Sequence, residues 1–188
     1  MIEHLYFVRH GQSTANAAKV YAGQDSSVQL TDLGRQQAMD SGAAIKALNI
    51  DLIISSDLDR AEETARIIAG QLGLPETAVK LDARLREINT GQLAGQPDKG
   101  FAGYMRHVEL GTDQTVETPE QVESRVRSFL STLVQQAGRG VLLVAHVGIG
   151  NVLQSILIGT SLNILAGRDT PNAQPFELPL YRLKETTT

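Results

Sequence analysis

Short, unbroken runs of apolar residues alternate along the chain with longer segments in which apolar residues recur every three or four positions. Three of these runs, at residues 5–8, 51–55 and 141–145, are too short for helices and predict strands covered on both faces. Strands that alternate with helices are typical of an α/β fold built around a parallel sheet. We therefore expect a three-layer α/β/α sandwich with a largely parallel mixed sheet.

Three longer segments have the apolar spacing of amphipathic helices that pack on such a sheet. In residues 61–72 the apolar side chains share one face, and Gly73 followed by Pro75 indicates where the helix ends. Similar patterns predict helices from about residue 32 to 48 and from 148 to 158. These helices lie between and after the predicted strands, as the connections of an α/β fold do.

A fourth helix is predicted over residues 119–136, where both ends carry recognisable signals. Thr118 is a suitable N-cap, Pro119 fits the first turn and Gln121 completes a capping box. At the other end, Gly138 predicts a C-terminal stop.

The interval 89–118 is rich in Gly, Thr, Gln and Asp and has little periodicity. We interpret it as a surface excursion with at most one short helix, near the sequence GYMRHVEL, that forms part of a ligand site. The last five residues, KETTT, are expected to fray. With 188 residues the chain fits one domain, and we expect that domain to span residues 1–188.

Composition and charge narrow the possible functions. An apolar fraction of 41% and a charged fraction of 20% are ordinary for a folded globular protein. A net charge of −4 gives no general attraction to polyanions, so neither nucleic acid nor a membrane surface is expected as a partner. The chain has no cysteine, which excludes disulfides and thiolate chemistry. The N-terminus has no secretory signal pattern, so a cytoplasmic location is expected.

Residues that could carry chemistry follow the predicted strands, where the active sites of α/β proteins gather. Arg9 and His10 follow the run at 5–8, and Arg60 lies five residues beyond 51–55. His146 follows the run at 141–145, and Glu87 comes after the shorter run AVKL. Two arginines, two histidines and a carboxylate could therefore converge on one crevice.

Each of these residues taken alone has a simpler, structural interpretation. A histidine after a strand is commonly a hydrogen-bonded structural residue, Arg60 could be a solvated helix residue, and Glu87 could belong to a surface ion pair. Their occurrence together, each just beyond an apolar run, favours the functional interpretation. His4 and His107 have no such setting and are interpreted as structural.

Six stretches of the chain resemble the motifs of a known family, the histidine phosphatase superfamily of phosphoglycerate mutase-like proteins. VRHGQSTAN is similar to the Arg-His-Gly signature of that family, and PNAQPFEL resembles the asparagine-bearing entry to a late strand. The resemblance covers about residues 5–180. The other four stretches are similar to the segment after the signature and to the second-arginine, acid and second-histidine motifs: GQDSSVQLTDLGRQQA, SSDLDRAEETA, LREINTGQLAG and LLVAHVGIG.

The resemblance implies a phosphomonoester phosphatase that acts through a phosphohistidine. By position, His10 is the implied nucleophile and Glu87 the general acid and base. Arg9, Arg60 and His146 are the implied ligands of the phosphoryl oxygens, together with Asn16. Val147 stands where the family usually has glycine and is an expected contact of the substrate, and Leu93 replaces a common aromatic residue in the acid motif.

Elementary chemistry agrees with these implied roles. Phosphoryl transfer spreads negative charge over equatorial oxygens, and forked guanidinium groups hold two such oxygens without losing their own charge. Because the arginines supply positive charge, we expect no metal ion and no other cofactor. The expected partners are a small-molecule phosphomonoester and phosphate or other tetrahedral anions.

Alternative functions stay open at this point. A phosphoglycerate mutase would carry the same constellation, but the mutases of this family have longer insertions with basic residues. Here the interval 89–118 contains only Lys99 and Arg106 as cations, which favours the phosphatase. A catalytically inactive module that binds a phosphorylated ligand is a third interpretation. The sequence leaves the physiological substrate open, and a homodimer is possible.

Overall fold

Five strands form one mixed sheet in the computed structural model, which describes residues 2–136, 138–162 and 170–180. Their order is β3-β2-β4-β1-β5. The first three pairs are parallel, whereas β5 runs antiparallel to β1 at the edge. The strands span His4–Arg9 (β1), Leu52–Ser55 (β2), Val79–Leu81 (β3), Gly140–Ala145 (β4) and Phe176–Leu178 (β5).

Helices connect these strands and cover both faces of the sheet. In the described residues they span Thr14–Ala18 (α1), Asp32–Ala44 (α2), Asp59–Leu72 (α3), Gly100–Leu110 (α4), Pro119–Leu133 (α5) and Val147–Ile158 (α6). Short 3₁₀ turns lie at Glu76–Ala78, Ala83–Leu85 and Gly91–Leu93.

Successive residues of the central strands enter two separate apolar clusters. In β4, Leu143 packs in one cluster with side chains of α5 and α6, while Leu142 and Val144 pack in the other with side chains of α3. Phe7 and Val8 divide between the clusters in the same way. Because neighbouring side chains of a strand point to opposite faces, both faces are covered and the three-layer α/β/α sandwich is confirmed.

The predicted helix boundaries are right where a cap determines them. Thr118 accepts the N–H of Gln121 in a complete capping box, and Gly73 ends α3 at φ 71°. Two C-termini were predicted too far along the chain. Helix α2 ends at Ala44 rather than near residue 48, and α5 ends at Leu133 rather than at 136, since the chain turns there before the predicted stop.

The interval 89–118 contains one α-helix, as predicted, which is longer than the predicted one, and a short 3₁₀ turn. Helix α4 has 11 residues and begins at Gly100, ahead of the predicted segment. Tyr104 is buried in the larger apolar cluster, and its hydroxyl donates to the carbonyl oxygen of Glu117. His107 bonds to the buried carboxylate of Asp113, which fits its structural interpretation. The segment KETTT lies outside the described residues.

The parallel arrangement brings the carboxyl ends of three strands to one edge of the sheet. Arg9 ends β1, and Ser56 and His146 directly follow β2 and β4. The N–H of His10 donates to the carbonyl oxygen of Ala145 at 2.9 Å, which joins two of these ends directly. None of the helices in the described part of the chain could span a lipid bilayer.

Candidate active site

His10 is held in one orientation immediately after β1. Its Nδ1 lies 2.7 Å from the carbonyl oxygen of Gly11, and since a carbonyl only accepts, Nδ1 carries the ring proton. The Nε2 atom therefore keeps its lone pair. The carbonyl oxygen of His10 accepts the side-chain amide of Asn172 at 2.7 Å, so both the backbone and the ring are fixed.

The surroundings of His10 keep its ring neutral. The residue is only 4% exposed, and burial followed by the charges of Arg60 and Arg9 lowers the pKa of His10 well below its ordinary value. A neutral imidazole whose Nδ1 is protonated has a nucleophilic Nε2 at neutral pH.

Arg60 is buried completely near the start of α3. Its two terminal nitrogens donate to the carbonyl oxygens of Asp25 and Gly23, at 3.1 and 2.8 Å. The Nε–H is buried and has no hydrogen-bond partner in the described part of the chain. The loop 23–25 thus fixes the plane of the guanidinium and uses two of its five N–H donors, so the Nε–H is among the donors left for a ligand.

Arg9 and Asn16 are placed by contacts from distant parts of the chain. Arg9 donates to the carbonyl oxygen of Thr170 at 2.8 Å. The side-chain oxygen of Asn16 accepts from the hydroxyl of Ser13 at 3.0 Å and from the amide of Asn172 at 3.4 Å. Since that oxygen is occupied, the amide group of Asn16 is the part left to donate to a ligand.

His146 is the N-cap of α6 and is completely buried. Its ring lies against that of His10 with 5.1 Å between the centroids and 62° between the planes. Its Nε2 is 3.0 Å from the hydroxyl of Ser56, while its Nδ1 has no hydrogen-bond partner in the described residues. Burial, and then the charge of Arg60, lowers the pKa of His146 well below its ordinary value, so this ring is neutral too.

Glu87 faces the N-terminus of α6. One carboxylate oxygen accepts the N–H of Ile88 at 2.9 Å, and the other accepts the N–H of Gly148 at 3.3 Å. A Cβ at position 148 would collide with the carboxylate and with Ile88, so a larger residue there would displace the Glu87 side chain. Arg125 holds the backbone of Glu87 in place by donating to its carbonyl oxygen at 3.2 Å. The guanidinium of Arg125 also pairs with the carboxylate of Glu117.

Three other carboxylates near the motifs lie outside this arrangement. Glu63 pairs with Arg35 and Glu62 with Arg66 on the helix surface, and Asp25 accepts from Ser27. The only carboxylates that line the cavity in the described part of the chain are Glu87 and Asp98.

A cavity of about 560 Å³ lies at this edge of the sheet. His146 is the one predicted site residue that does not line it, because its ring packs beneath the surface against His10. Among the described residues, no group of three or more His, Asp or Glu side chains could hold a metal ion. The other six predicted site residues line the cavity: Arg9, His10, Asn16, Arg60, Glu87 and Val147.

The structure adds residues that sequence reasoning did not assign. Ser56 bonds to His146, Asn172 orients His10 and Asn16, and Arg125 supports Glu87. Ser56 directly follows a predicted strand, and that position was the signal that could have identified it. Arg125 carries no such signal, because it lies in the middle of an amphipathic helix.

The fold and the site together define a class of protein. Guanidinium groups, two neutral imidazoles and a carboxylate, gathered at the carboxyl edge of an α/β sheet, form the constellation of a phosphoryl-transfer enzyme. The family is shown independently by sequence. The chain belongs to the histidine phosphatase superfamily (branch 1), whose family model matches residues 5–182.

Individual relatives carry both phosphatase and mutase names. The probable phosphoglycerate mutase GpmB of Salmonella choleraesuis is 36% identical over 163 residues, which cover 81% of this chain and 74% of the relative. The mycobacterial glucosyl-3-phosphoglycerate phosphatase, solved with VO3, is 29% identical with a TM-score of 0.77, covering 93% of this chain and 90% of that one. The alpha-ribazole phosphatase of Shigella flexneri shares the fold, with a TM-score of 0.78 at 23% identity, over 93% of this chain and 89% of its own.

Proposed function

We propose that the protein hydrolyses phosphomonoesters without a metal ion, through a phosphohistidine formed on His10. One observation carries the proposal. Nδ1 of His10 donates to the carbonyl oxygen of Gly11, so Nε2 of this neutral ring keeps its lone pair. The ring lines a cavity that Arg9 and Arg60 also line. A nucleophile and two permanent cations at the same place suit an incoming phosphoryl group.

In the first step, the Nε2 lone pair of His10 attacks phosphorus and the bond from phosphorus to the ester oxygen breaks. Arg9, Arg60 and the amide of Asn16 donate to the phosphoryl oxygens, with His146 Nδ1 as a further donor from below. Glu87, in its carboxylic acid form, passes its proton to the departing oxygen, which leaves as an alcohol.

In the second step, water breaks down the phosphohistidine. The carboxylate of Glu87 removes a proton from water, the hydroxide attacks phosphorus, and the P–N bond breaks. Inorganic phosphate leaves, Nε2 regains its lone pair and Glu87 again holds the proton. The arginines keep their charge in both steps, so the site has the same electrostatic support throughout.

The names of the relatives support phosphoryl transfer but divide over its outcome. A phosphatase passes the phosphoryl group to water, whereas a phosphoglycerate mutase must hold the substrate carboxylate and return the group to the substrate. Besides Arg9 and Arg60, Lys19 is the only lysine or arginine among the described residues that line the cavity. This scarcity of cations favours the phosphatase.

Phosphate release from a panel of phosphomonoesters, measured with EDTA present, tests the proposal. We expect turnover in EDTA, and rapid quench should trap an acid-labile, alkali-stable phosphoenzyme that His10→Ala lacks and His4→Ala retains. Activity that disappears with EDTA and returns with Mg²⁺, or an acid-stable adduct, contradicts the mechanism. Conversion of 3-phosphoglycerate to its isomer without phosphate release identifies a mutase, and anion binding without any turnover identifies an inactive module.

The proposal includes a single domain over residues 1–188 and small-molecule phosphomonoesters as substrates, with phosphate and other tetrahedral anions as ligands. The proposal also includes that the protein binds neither nucleic acid nor a membrane surface, which the net charge of −4 supports. A cytoplasmic location and a homodimer stay predictions, which fractionation and light scattering respectively can test.

A further inference from the structure

One side of the cavity, the α4 wall, is formed by helix α4, by residues 96–99 that lead into it and by the loop after α1. Backbone hydrogen bonds join that loop to residues 96–98: the N–H of Tyr21 donates to the carbonyl oxygen of Gln96 and the N–H of Asp98 to that of Lys19, both at 2.9 Å. The wall is therefore a continuous surface beside the phosphoryl site. Its lining residues are Lys19, Val20, Tyr21, Asp98, Phe101 and Tyr104.

The two tyrosines of the α4 wall offer their rings rather than their hydroxyls. Tyr21 donates to the carbonyl oxygen of Gly100 at 2.7 Å, and Tyr104 donates to that of Glu117 at 2.5 Å. Burial raises the pKa of both phenols, so they stay uncharged. Because each hydroxyl already has an acceptor, neither needs a polar group from a substrate.

Phe101 extends the aromatic surface formed by these rings. Its ring lies 5.6 Å from that of Tyr104, at 49° between the planes, and it is partly exposed where it lines the cavity. Rings in such tilted arrangements present edges and faces that favour contact with another ring. An apolar or aromatic leaving group would therefore bury its surface against Phe101 at little desolvation cost.

The charges on the α4 wall do not suit a small anionic acid. Lys19 and Asp98 both line this wall and carry opposite charges, so the negative charge of Asp98 offsets the attraction of Lys19 for an anionic substrate. The volume of about 560 Å³ lies within the range of about 300–1,000 Å³ that accommodates drug-sized ligands. A three-carbon acid would leave much of it unfilled.

We propose that the α4 wall selects phosphomonoesters of bulky, uncharged alcohols that carry a ring, over small alkyl esters and carboxylate-bearing phosphates. The inference rests on the proposed phosphatase function, since it concerns the leaving group of that reaction. Phe101 is the specificity-determining residue, because it is the ring on this wall that is neither buried nor hydrogen-bonded.

The test compares 2-phenylethyl phosphate, ethyl phosphate and 3-phosphoglycerate as substrates. The two alcohols have similar basicity, so a difference in kcat/KM between their esters reports contact with the wall rather than leaving-group chemistry. We expect kcat/KM for 2-phenylethyl phosphate to exceed that for ethyl phosphate by about thirtyfold, and Phe101→Ala to reduce that ratio about tenfold. Glu109→Ala, an exposed change on the same helix, should leave the ratio unchanged.

Equal kcat/KM values for 2-phenylethyl phosphate and ethyl phosphate overturn the inference. So does a preference for 3-phosphoglycerate that Lys19→Ala abolishes. Phe101→Leu, which keeps apolar bulk without the ring, should give an intermediate ratio and covers the case in which the alanine variant folds poorly.

Binding measured separately distinguishes the inference from the proposed function. Calorimetric titration with 2-phenylethylphosphonate and ethylphosphonate, which cannot be hydrolysed, should show tighter binding of the ring-bearing anion that depends on Phe101. If that preference appears while no ester is hydrolysed, the phosphatase function fails and the wall's selectivity stands. If the two phosphonates bind equally, the selectivity fails whatever the catalytic result.

Discussion

The hydroxyl oxygen of Ser56 lies 3.0 Å from Nε2 of His146. Ser56 directly follows β2 and His146 directly follows β4, and these two strands are parallel neighbours in the sheet. The N–H of Leu58 donates to the same hydroxyl at 3.2 Å, which occupies one of its lone pairs. If the Ser56 O–H donates to Nε2, the single proton of the neutral ring sits on Nδ1. That buried atom can then donate to an anion bound beside His10.

Ser56→Ala should therefore lower kcat/KM by about fivefold or more, because a single hydrogen bond of this kind contributes about 1 kcal/mol and the ring also loses its fixed tautomer. Nitrogen-15 NMR of the histidine rings should show the Nδ1–H form of His146 in the parent protein and a mixture in the variant. Ser55→Ala is the matched control, since Ser55 is equally buried but donates to a backbone carbonyl. Equal effects of the two changes would mean that Ser56 is only structural.

Arg60→Lys should weaken the binding of vanadate or phosphate by about tenfold or more. A lysine keeps the charge, but its three N–H donors share one nitrogen and cannot reproduce the planar fork that holds the two carbonyl oxygens of the loop 23–25. Calorimetric titration measures the loss. Arg66→Lys, on the exposed side of the same helix, should leave the affinity unchanged. A similar loss of affinity in that variant would show that the effect of Arg60→Lys is not specific to the site.

Glu87→Gln should discriminate between substrates by the basicity of their leaving groups. An acid that protonates a leaving oxygen helps most when that oxygen is strongly basic. We expect kcat/KM for an alkyl phosphate to fall by about two powers of ten, and that for p-nitrophenyl phosphate much less. The comparison uses kcat/KM because this quantity reports only the steps through formation of the phosphohistidine.

Asp98→Asn provides the control for Glu87→Gln, because Asp98 is the other carboxylate among the described lining residues. It should affect both substrates alike. Equal losses of kcat/KM for alkyl and aryl substrates in Glu87→Gln would remove Glu87 from the acid role.

Stability should fall as the pH drops below about 6.5, where histidines of the unfolded chain take up protons. Burial lowers the pKa of His10 and of His146 in the folded protein, so below that pH the unfolded chain binds more protons than the folded one. The free energy of unfolding therefore decreases with falling pH, by up to about 1.4 kcal/mol per pH unit for each ring.

Urea unfolding between pH 7.5 and 5.5 measures this dependence. His10→Gln should show a shallower loss of stability than the parent protein, because one of the two buried rings no longer takes up a proton on unfolding. His4→Gln, a change at an exposed histidine outside the cavity, is the control. Identical slopes in all three proteins would show that the buried histidines do not govern the pH dependence.

Most strands and several helix ends were predictable because local signals determine them. Unbroken apolar runs identified β1, β2 and β4, and the capping box at Thr118 fixed the start of α5. The predictions of where α2 and α5 end and where α4 begins were less accurate. No side-chain cap specifies those positions, so packing against the rest of the molecule decides where the chain turns.

The sequence by itself determined which chemical groups this protein has and that they follow strands: Arg9, His10 and His146 are adjacent to apolar runs that can only be buried. Tertiary structure alone decided how those groups are oriented. The contact of Ser56 with His146 spans 90 positions and that of Asn172 with His10 spans 162. Such contacts exist because the strand order β2-β4-β1 brings distant carboxyl ends together, and strand order depends on the packing of the whole sheet.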